Sequence, residues 1–500
     1  MWPGLKAFDR RFEFYNGVLY PMIIEGPFVD QITPTSAIIS GDTDLSVTDV
    51  TLNVSIASAS SIRTVRSVKM ARRPKSPPAS PTHFEETLTG LTAGTTYYYS
   101  VQATDGTKTT NTRQYYFKTP ALATTKFDFV AMGDARANAG GSDADYGGVN
   151  YGVVKQLFTN AFNRDVAFAV FTGDYEWGFS DVVLDLQQQV RAFKDAVEQV
   201  RHYIPLYAAM GNHELSITSY LTTEPGSQNL PYLWFDKATP NSGEEVFAGE
   251  FVNPTNGPTP DPPISGTCTK PPYRENLYYW DYGNSRFVVL NTAYWYSSYA
   301  EKYGGFLNAY IGDDQLAWLT NVFNQTAADP SIEHLFLFGH TPVFPSGGHE
   351  LGGMWLGGGS PAVNRGVYRT YVVERRDQLW QAFVNSGKAV AYVAADEHNY
   401  SRTAAFRDRN NNYFSRFAWQ IVSGGAGAPL TATRSNTVPW KNDVKKFSTQ
   451  YHSAMFKVDG KQVTVEVYNV DNQLIESAVL KNSSGVITAQ LPYYFPIILR

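Results

Sequence analysis

From residue 25 to about 120 apolar and polar residues alternate in short runs, the two-residue period of strands with one face in a core, and turn residues separate the runs. The clearest runs are 36–41, 50–56, 83–88, 96–102 and 114–119. They predict a small β-sandwich over 25–120, behind an N-terminal arm at 1–24. A stretch of small residues around Pro120, 119–126, reads as a linker. Beyond it the period changes. Apolar runs at 127–132, 167–172, 204–210, 287–291, 334–338 and 389–394 alternate with helical patterns at 149–162, 182–202, 313–326 and 376–385. Strands alternating with helices predict an α/β (α+β) domain over 126–470, followed by a C-terminal strand and tail at 471–500. Two stretches, 215–274 and 346–365, are rich in Gly, Pro, Asn and Ser and predict long loops.

Composition narrows the picture. A chain of 500 residues exceeds what one core usually organises, in keeping with two domains. Hydrophobic residues at 43% against 17% charged describe an ordered globular chain. The net charge of −5 lacks the basic excess that neutralises a phosphate backbone, so nucleic acid is not an obligate partner. The single cysteine, Cys268, excludes an intrachain disulfide and has no zinc-site spacing around it. Residues 1–20 carry Lys6, Asp9, Arg10, Arg11 and Glu13 and show no signal-peptide core. The apolar stretch 486–499 is interrupted by Gln490, Pro492 and Pro496, so no membrane span is expected. Composition leaves the oligomeric state open.

The chemistry sits where the predicted strands end. The first strand runs into Gly133-Asp134-Ala135-Arg136, the second into Gly173-Asp174-Tyr175-Glu176, and the third into Gly211-Asn212-His213-Glu214. Later strands run into Gly339-His340-Thr341 and Ala395-Asp396-Glu397-His398. Carboxylate, carboxamide and imidazole are the donors that divalent metals take. Loops at the carboxyl ends of strands in α/β sheets converge on one crevice, so motifs far apart in sequence can share a site. One Gly-Asp pair means nothing, because such pairs occur in turns everywhere. The order Asp, Asp, Asn-His, His, His after successive apolar strands is the signal.

That order resembles the calcineurin-like metallophosphoesterases over roughly residues 127–468. The segment 91–101, with Tyr97-Tyr98-Tyr99, and the run Tyr115-Tyr116-Phe117 resemble fibronectin type III strands. The combined layout is similar to the purple acid phosphatases and their bacterial relatives. The resemblance implies a four-layer αββα catalytic domain and two divalent or trivalent metal ions, whether Mn, Fe, Zn or Mg. It implies that Asp174 bridges both ions, that Asn212, His340 and Asp396 complete one, and that Asp134 and His398 complete the other. His213 would face the substrate and serve the leaving alkoxide.

The chain departs from the family pattern at three positions. Arg136 stands where the first motif has His or Gly, Trp177 where the purple enzymes place a metal-binding tyrosine, and Asp396 where the last motif has His. A tyrosinate-bound ferric site is therefore not expected. Arg136 cannot donate a lone pair; it is either a clamp on phosphoryl oxygens or the partner of a carboxylate such as Asp134. Asp396 hardens the ligand set toward Mn, Mg or Fe. His349 and Glu350 lie in a Gly-rich loop that could reach the site, but exposed loop residues more often face solvent. Glu214, Tyr175, Tyr400 and Arg402 read as supporting or packing residues, and Tyr97 to Tyr99 as sandwich core.

The expected function is hydrolysis of phosphate monoesters of small molecules by a metal-activated hydroxide in a binuclear site. A phosphodiesterase or nucleotide pyrophosphatase on the same metals is the near alternative. A non-catalytic binding protein that has lost one metal is the distant one. Relatives with this layout work outside the cytoplasm, so the expected location is secreted or periplasmic, with a cytoplasmic one still open.

Overall fold

The computed structural model describes residues 14–15, 18–57, 62–74, 81–137, 145–178, 180, 182–215, 242–260, 272–294, 309–348, 353–355, 366–404, 407–408, 410, 412–431 and 433–488. Cys268, His349 and Glu350, and the tail beyond 488, lie outside them. The N-terminal part holds a short ladder of β1 (Phe14–Tyr15) and β2 (Val18–Leu19), then β3 (Ile23–Asp30), β4 (Ser36–Thr43), β5 (Asp49–Ala57), β6 (Ile62–Lys69), β7 (Ala71–Pro74), β8 (Thr82–Thr89), β9 (Thr96–Thr104), β10 (Thr109–Asn111) and β11 (Tyr115–Lys118). One antiparallel sheet runs β3-β4-β8-β7; the other runs β10-β9-β5-β6, with β11 also on β9. Val29, Ile39, Leu52, Phe84, Tyr97, Tyr99 and Phe117 share one core between them. Along β9 burial alternates residue by residue, which is how the Tyr97-Tyr98-Tyr99 run sends Tyr97 and Tyr99 inward.

Several strands of this region escaped the hydrophobic pattern, β3 and β6 the longest of them. In β3 the pairing register shifts around Glu25 and Phe28, breaking the alternation. The edge strand β6 carries Arg63, Arg66 and Lys69, the charges that edges usually bear.

The second part continues with β12 (Lys126–Met132), the short β13 (Asp145–Tyr146) and β14 (Val149–Asn150), α1 (Tyr151–Phe162), β15 (Phe168–Phe171), α2 (Val183–Arg201), β16 (Leu206–Ala208), α3 (Gly243–Glu250), β17 (Tyr278–Tyr282) and β18 (Ser285–Val289). Then come α4 (Asp313–Ala328), β19 (His334–Phe338), α5 (Gly366–Asn385), β20 (Ala389–Ala394), β21 (Tyr400–Thr403), β22 (Trp419–Ser423), β23 (Val444–Ser448), β24 (His452–Asp459), β25 (Gln462–Asn469) and β26 (Leu474–Lys481). They build a six-stranded sheet, β16-β15-β12-β24-β25-β26, and a seven-stranded sheet, β17-β18-β19-β20-β22-β21-β23.

Aromatic side chains hold the two sheets face to face. Phe129 stacks on Phe168 at 5.2 Å and Phe456 at 4.8 Å within its own sheet, and meets Phe287 and Phe336 of the other edge-on at 5.2 Å. Such pairs add about 0.5–1.5 kcal/mol each beyond the area they bury. On the outer faces Leu157, Phe158, Phe193 and Val197 of α1 and α2, and Leu319, Phe323, Leu379 and Phe383 of α4 and α5, complete the αββα layers.

The loop predicted at 215–274 contains a helix, α3, started by Ser242, whose hydroxyl accepts from Glu245 N at 3.2 Å. Short and surrounded by Gly and Pro, it gives no periodic signal. Helix α5 begins at Gly366, ten residues before the predicted start at 376, because β-branched and aromatic residues there mask the helical pattern.

The sandwich is welded to α2. Arg201 pairs with Asp30 at 2.7 Å with both groups buried, and Lys194 lies between Glu25 of β3 and Glu250 of α3. Tyr99 donates to the His202 carbonyl at 2.7 Å, and the His202 Nδ1 sits 2.7 Å from the Pro27 carbonyl. Removing one partner of a buried pair leaves the other charge uncompensated, so Asp30→Ala is expected to cost about 3–5 kcal/mol in chemical denaturation. Burial pushes His202 down to about 4, below its unfolded value. Its contribution is therefore complete above about pH 6.5 and is lost as pH falls toward 4. The unfolding free energy of the native chain should drop more between pH 7 and pH 5 than that of His202→Gln.

Candidate metal centre

Strands β12, β15 and β16 are parallel in one sheet, and β18, β19, β20 and β22 are parallel in the other. Their carboxyl ends meet along one edge. Met132 leads to Asp134, Phe171 to Asp174, Ala208 to Asn212, Phe338 to His340 and Ala394 to Asp396. The two sheets are stitched there: Gly133 N donates to Ser423 O at 2.9 Å and Ala428 N to Asp134 O at 2.8 Å.

The three carboxylate residues share an unusual backbone. Asp134, Asp174 and Asp396 have φ of 62°, 58° and 66°, the left-handed region that Asp tolerates better than most residues. Each strand is thereby turned sharply at its end, so that the carboxyl group is delivered inward. The loops pass so close that a Cβ on Gly211 would lie 2.3 Å from Asp174 Oδ1, and one on Gly173 would lie 2.8 Å from His340 Nδ1. Glycine before Asp174 and before Asn212 is a packing requirement.

The donor atoms demand a cation. His340 Nδ1 faces the Thr172 carbonyl at 2.8 Å, which makes Nδ1 the protonated nitrogen and turns the Nε2 lone pair inward. That nitrogen lies 3.1 Å from Asn212 Oδ1, 3.2 Å from Asp174 Oδ1 and 3.7 Å from Asp396 Oδ1. Four lone-pair atoms around one point repel unless positive charge sits among them. Asp134, fully buried, has no hydrogen-bond partner for either carboxylate oxygen among the described residues. Ligand atoms of Asp134, Asp174 and His340 all fall within 4.8 Å of one another. A divalent ion fits this donor set of oxygens and one imidazole.

The electrostatics agree. Burial raises the Asp134 carboxyl, with Asp174 and Asp396 adding to it. Burial alone would raise Asp174 too, but His213 and His340 outweigh it and hold that carboxyl below the usual range. Burial alone would lower His340, yet Asp174, with Asp134 and Asp396, raises it well above an ordinary histidine.

The remaining predicted residues stand close by. His398 is buried, with Nδ1 2.8 Å from the Pro429 carbonyl and Nε2 3.9 Å from Asp134 Oδ1. Arg136 makes no ion pair with Asp134 within 4 Å. Its Nη2 lies 3.5 Å from His398 Nε2, and its guanidinium lies over the Trp177 ring at 5.4 Å. Two of the sequence departures, Arg136 and Trp177, are thus partners in space. His213 N donates to Asp174 Oδ1 at 3.1 Å, and its Nε2 lies 3.6 Å from Asp174 Oδ2.

Supporting residues explain the rigidity. Glu214 accepts from Asp174 N at 3.0 Å, Tyr175 N at 2.7 Å and Gly211 N at 2.6 Å, tying two donor loops together. Burial, then Asp174, pushes Glu214 up to about 8. Glu397 accepts from Ser346 N at 2.8 Å and Gly347 N at 2.8 Å; the sequence offered no signal for this role. Tyr400 and Arg402 turn away to Glu476 on β26, and the Tyr175 hydroxyl to the Ala209 carbonyl. The segment 424–431 was also missed. It carries Pro429 behind His398, and a Cβ on Gly424 would lie 2.3 Å from Asp134 Oδ2. Its Gly-rich run directly after an apolar strand was the available clue.

Oxygen and imidazole donors gathered at the strand ends of two packed mixed sheets define a metal-binding hydrolase centre. The chain belongs to the calcineurin-like phosphoesterases, whose family model matches residues 129–400. It is thus a metallophosphoesterase, acting on phosphoesters with the help of metal. No curated protein matches it. Among solved structures it is similar to a dimetal phosphatase from Danio rerio, with 13% identity, a TM-score of 0.39, and coverage of 71% of this chain and 98% of that one. It is also similar to the sensor domain of the anti-sigma factor RsgI4 of Pseudobacteroides cellulosolvens, with 23% identity, a TM-score of 0.14, and coverage of 20% of this chain and 94% of that chain. Among the described residues no helix is long and apolar enough to cross a membrane.

Because Glu214 orients two donor loops through three backbone N–H groups, Glu214→Gln should weaken Mn²⁺ binding about 10–100-fold in titration calorimetry. The variant should still unfold cooperatively.

Proposed function

We infer that the chain hydrolyses phosphate monoesters of small molecules at this centre. The observation that carries the reading is the convergence of Asp174, Asn212, His340 and Asp396 on one point, with Asp134 buried beside it and without a hydrogen-bond partner. Asp174, Asn212, His340 and Asp396 would hold one cation, with Asp134 adjoining it and His398 beside Arg136. Metal ions bound there would supply a water nucleophile near neutral pH and offset charge on the phosphoryl oxygens.

The chain's own residues do the rest. Arg136 carries a guanidinium with no carboxylate within 4 Å among the described residues, at the rim of the donor cluster. A terminal phosphoryl group bears one more negative charge than a diester, and a bidentate guanidinium suits it. This favours monoesters. His213 holds the Trp177 carbonyl with Nδ1 and keeps Nε2 beside Asp174. That nitrogen is placed to face a leaving alkoxide. The sandwich ahead of the phosphoesterase sheets supports a layout like that of the purple acid phosphatases, and with it a secreted or periplasmic location.

An aryl phosphate monoester should be hydrolysed at least about tenfold faster than the matching diester in kcat/KM, with activity lost on chelation and restored by Mn²⁺. Asp174→Ala should reduce the rate by more than about 100-fold, beyond the effect of losing a supporting residue. A faster diester reaction would reassign the substrate class. Undiminished turnover in Asp174→Ala would falsify the metal-centre reading.

A further inference from the structure

We propose that this chain binds one metal ion tightly and that the Arg136 guanidinium stands in the second cation position. The inference rests on the phosphoesterase reading above and settles which cations the centre uses. Ligand atoms of Asp134, Asp174 and His340 lie within 4.8 Å of one another. With metal–ligand bonds of about 2.0–2.2 Å, a few tenths of an ångström of side-chain movement lets one ion touch all three. Asn212 Oδ1 and Asp396 Oδ1, at 3.1 and 3.7 Å from His340 Nε2, adjoin the same point. One ion thereby satisfies the buried Asp134 oxygens, which find no hydrogen bond among the described residues.

The donor that a second ion would need is His398, and its lone pair is turned toward arginine. The Nδ1 of His398 faces the Pro429 carbonyl at 2.8 Å, so Nε2 is the atom left to coordinate, and that atom lies 3.5 Å from Arg136 Nη2. Arg136 is a permanent cation with no lone pair. It is held in place by its backbone bridge to Val149 and by the Trp177 ring under its guanidinium at 5.4 Å, while Ala135 just before it donates its N–H to Asp174 O at 2.7 Å. A metal ion bound to His398 would sit directly against this fixed positive charge.

Charge balance points the same way. Asp134, Asp174 and Asp396 bring three negative charges, which one divalent ion and one guanidinium match. In this arrangement the phosphoryl group is gripped between a metal ion on one side and a planar guanidinium on the other. The guanidinium does for charge what a second ion would do, but it cannot activate water.

The test is metal content, read apart from activity. The full chain is stripped with chelator, saturated with Mn²⁺ and desalted; bound Mn is counted by elemental analysis, and its electron paramagnetic resonance spectrum is recorded. The native chain should retain one Mn per chain with the resolved hyperfine pattern of an isolated ion. Arg136→His, which supplies a ligand in place of the cation, should retain two per chain with an exchange-coupled spectrum. Two ions or an exchange-coupled signal in the native chain overturns the proposal. So does a folded Arg136→His chain that still holds one, with circular dichroism reporting the fold. Should that variant not fold, the native spectrum alone decides. No ion at all in the native chain sinks the metallophosphoesterase reading itself, and this inference with it.

Discussion

Three carboxylates buried at the meeting edge of two sheets set the terms for the rest of this molecule. An ionised carboxyl group removed from water without a compensating cation is too costly to keep. Asp134, Asp174 and Asp396 are each less than a tenth exposed and sit together. The fold therefore has to do two things. It must hold positive charge at that edge, through Arg136 and a metal ion, and it must hold the backbone rigid enough that repulsion does not splay the donors apart.

Much of the architecture can be read as the means of that rigidity. The aromatic layer around Phe129 fixes one sheet against the other, so strand ends from both arrive at the same place. Glu214 and Glu397 tie neighbouring loops by accepting backbone N–H groups, and the glycines before the donors let loops cross at contact distance. The left-handed backbone at all three aspartates is strain of about 1–3 kcal/mol each, sustained by the packing around it. On the far side, α2 carries Lys194 and Arg201 into the acidic groups of the sandwich, so the N-terminal domain braces a helix that packs beneath the Asp174 strand.

The departures from the family pattern become intelligible as a set. Arg136 lies over Trp177 and next to His398, while Asp396 faces His340. The first motif thus contributes a cation and the last a carboxylate.

By itself the sequence determined the order of the two folding patterns, the strands that lead into the chemistry and the residue types at their ends, because hydrophobic period and donor chemistry are local properties of the chain. The strands at 334–338 and 389–394 fall where their periods put them, and Asp134, Asp174, Asn212, His340 and Asp396 stand at strand ends as the pattern requires. What only the tertiary structure decided lies in contacts between distant segments. The bulged strand β3, the capped helix α3 and the 424–431 segment depend on partners elsewhere in the chain and leave little periodic trace. The same holds for Arg136. Its position in the first motif left open whether it pairs with Asp134 or serves phosphate, and the packing turned it away from Asp134 toward His398 and Trp177, from residues that the chain numbers 262 and 41 positions further on.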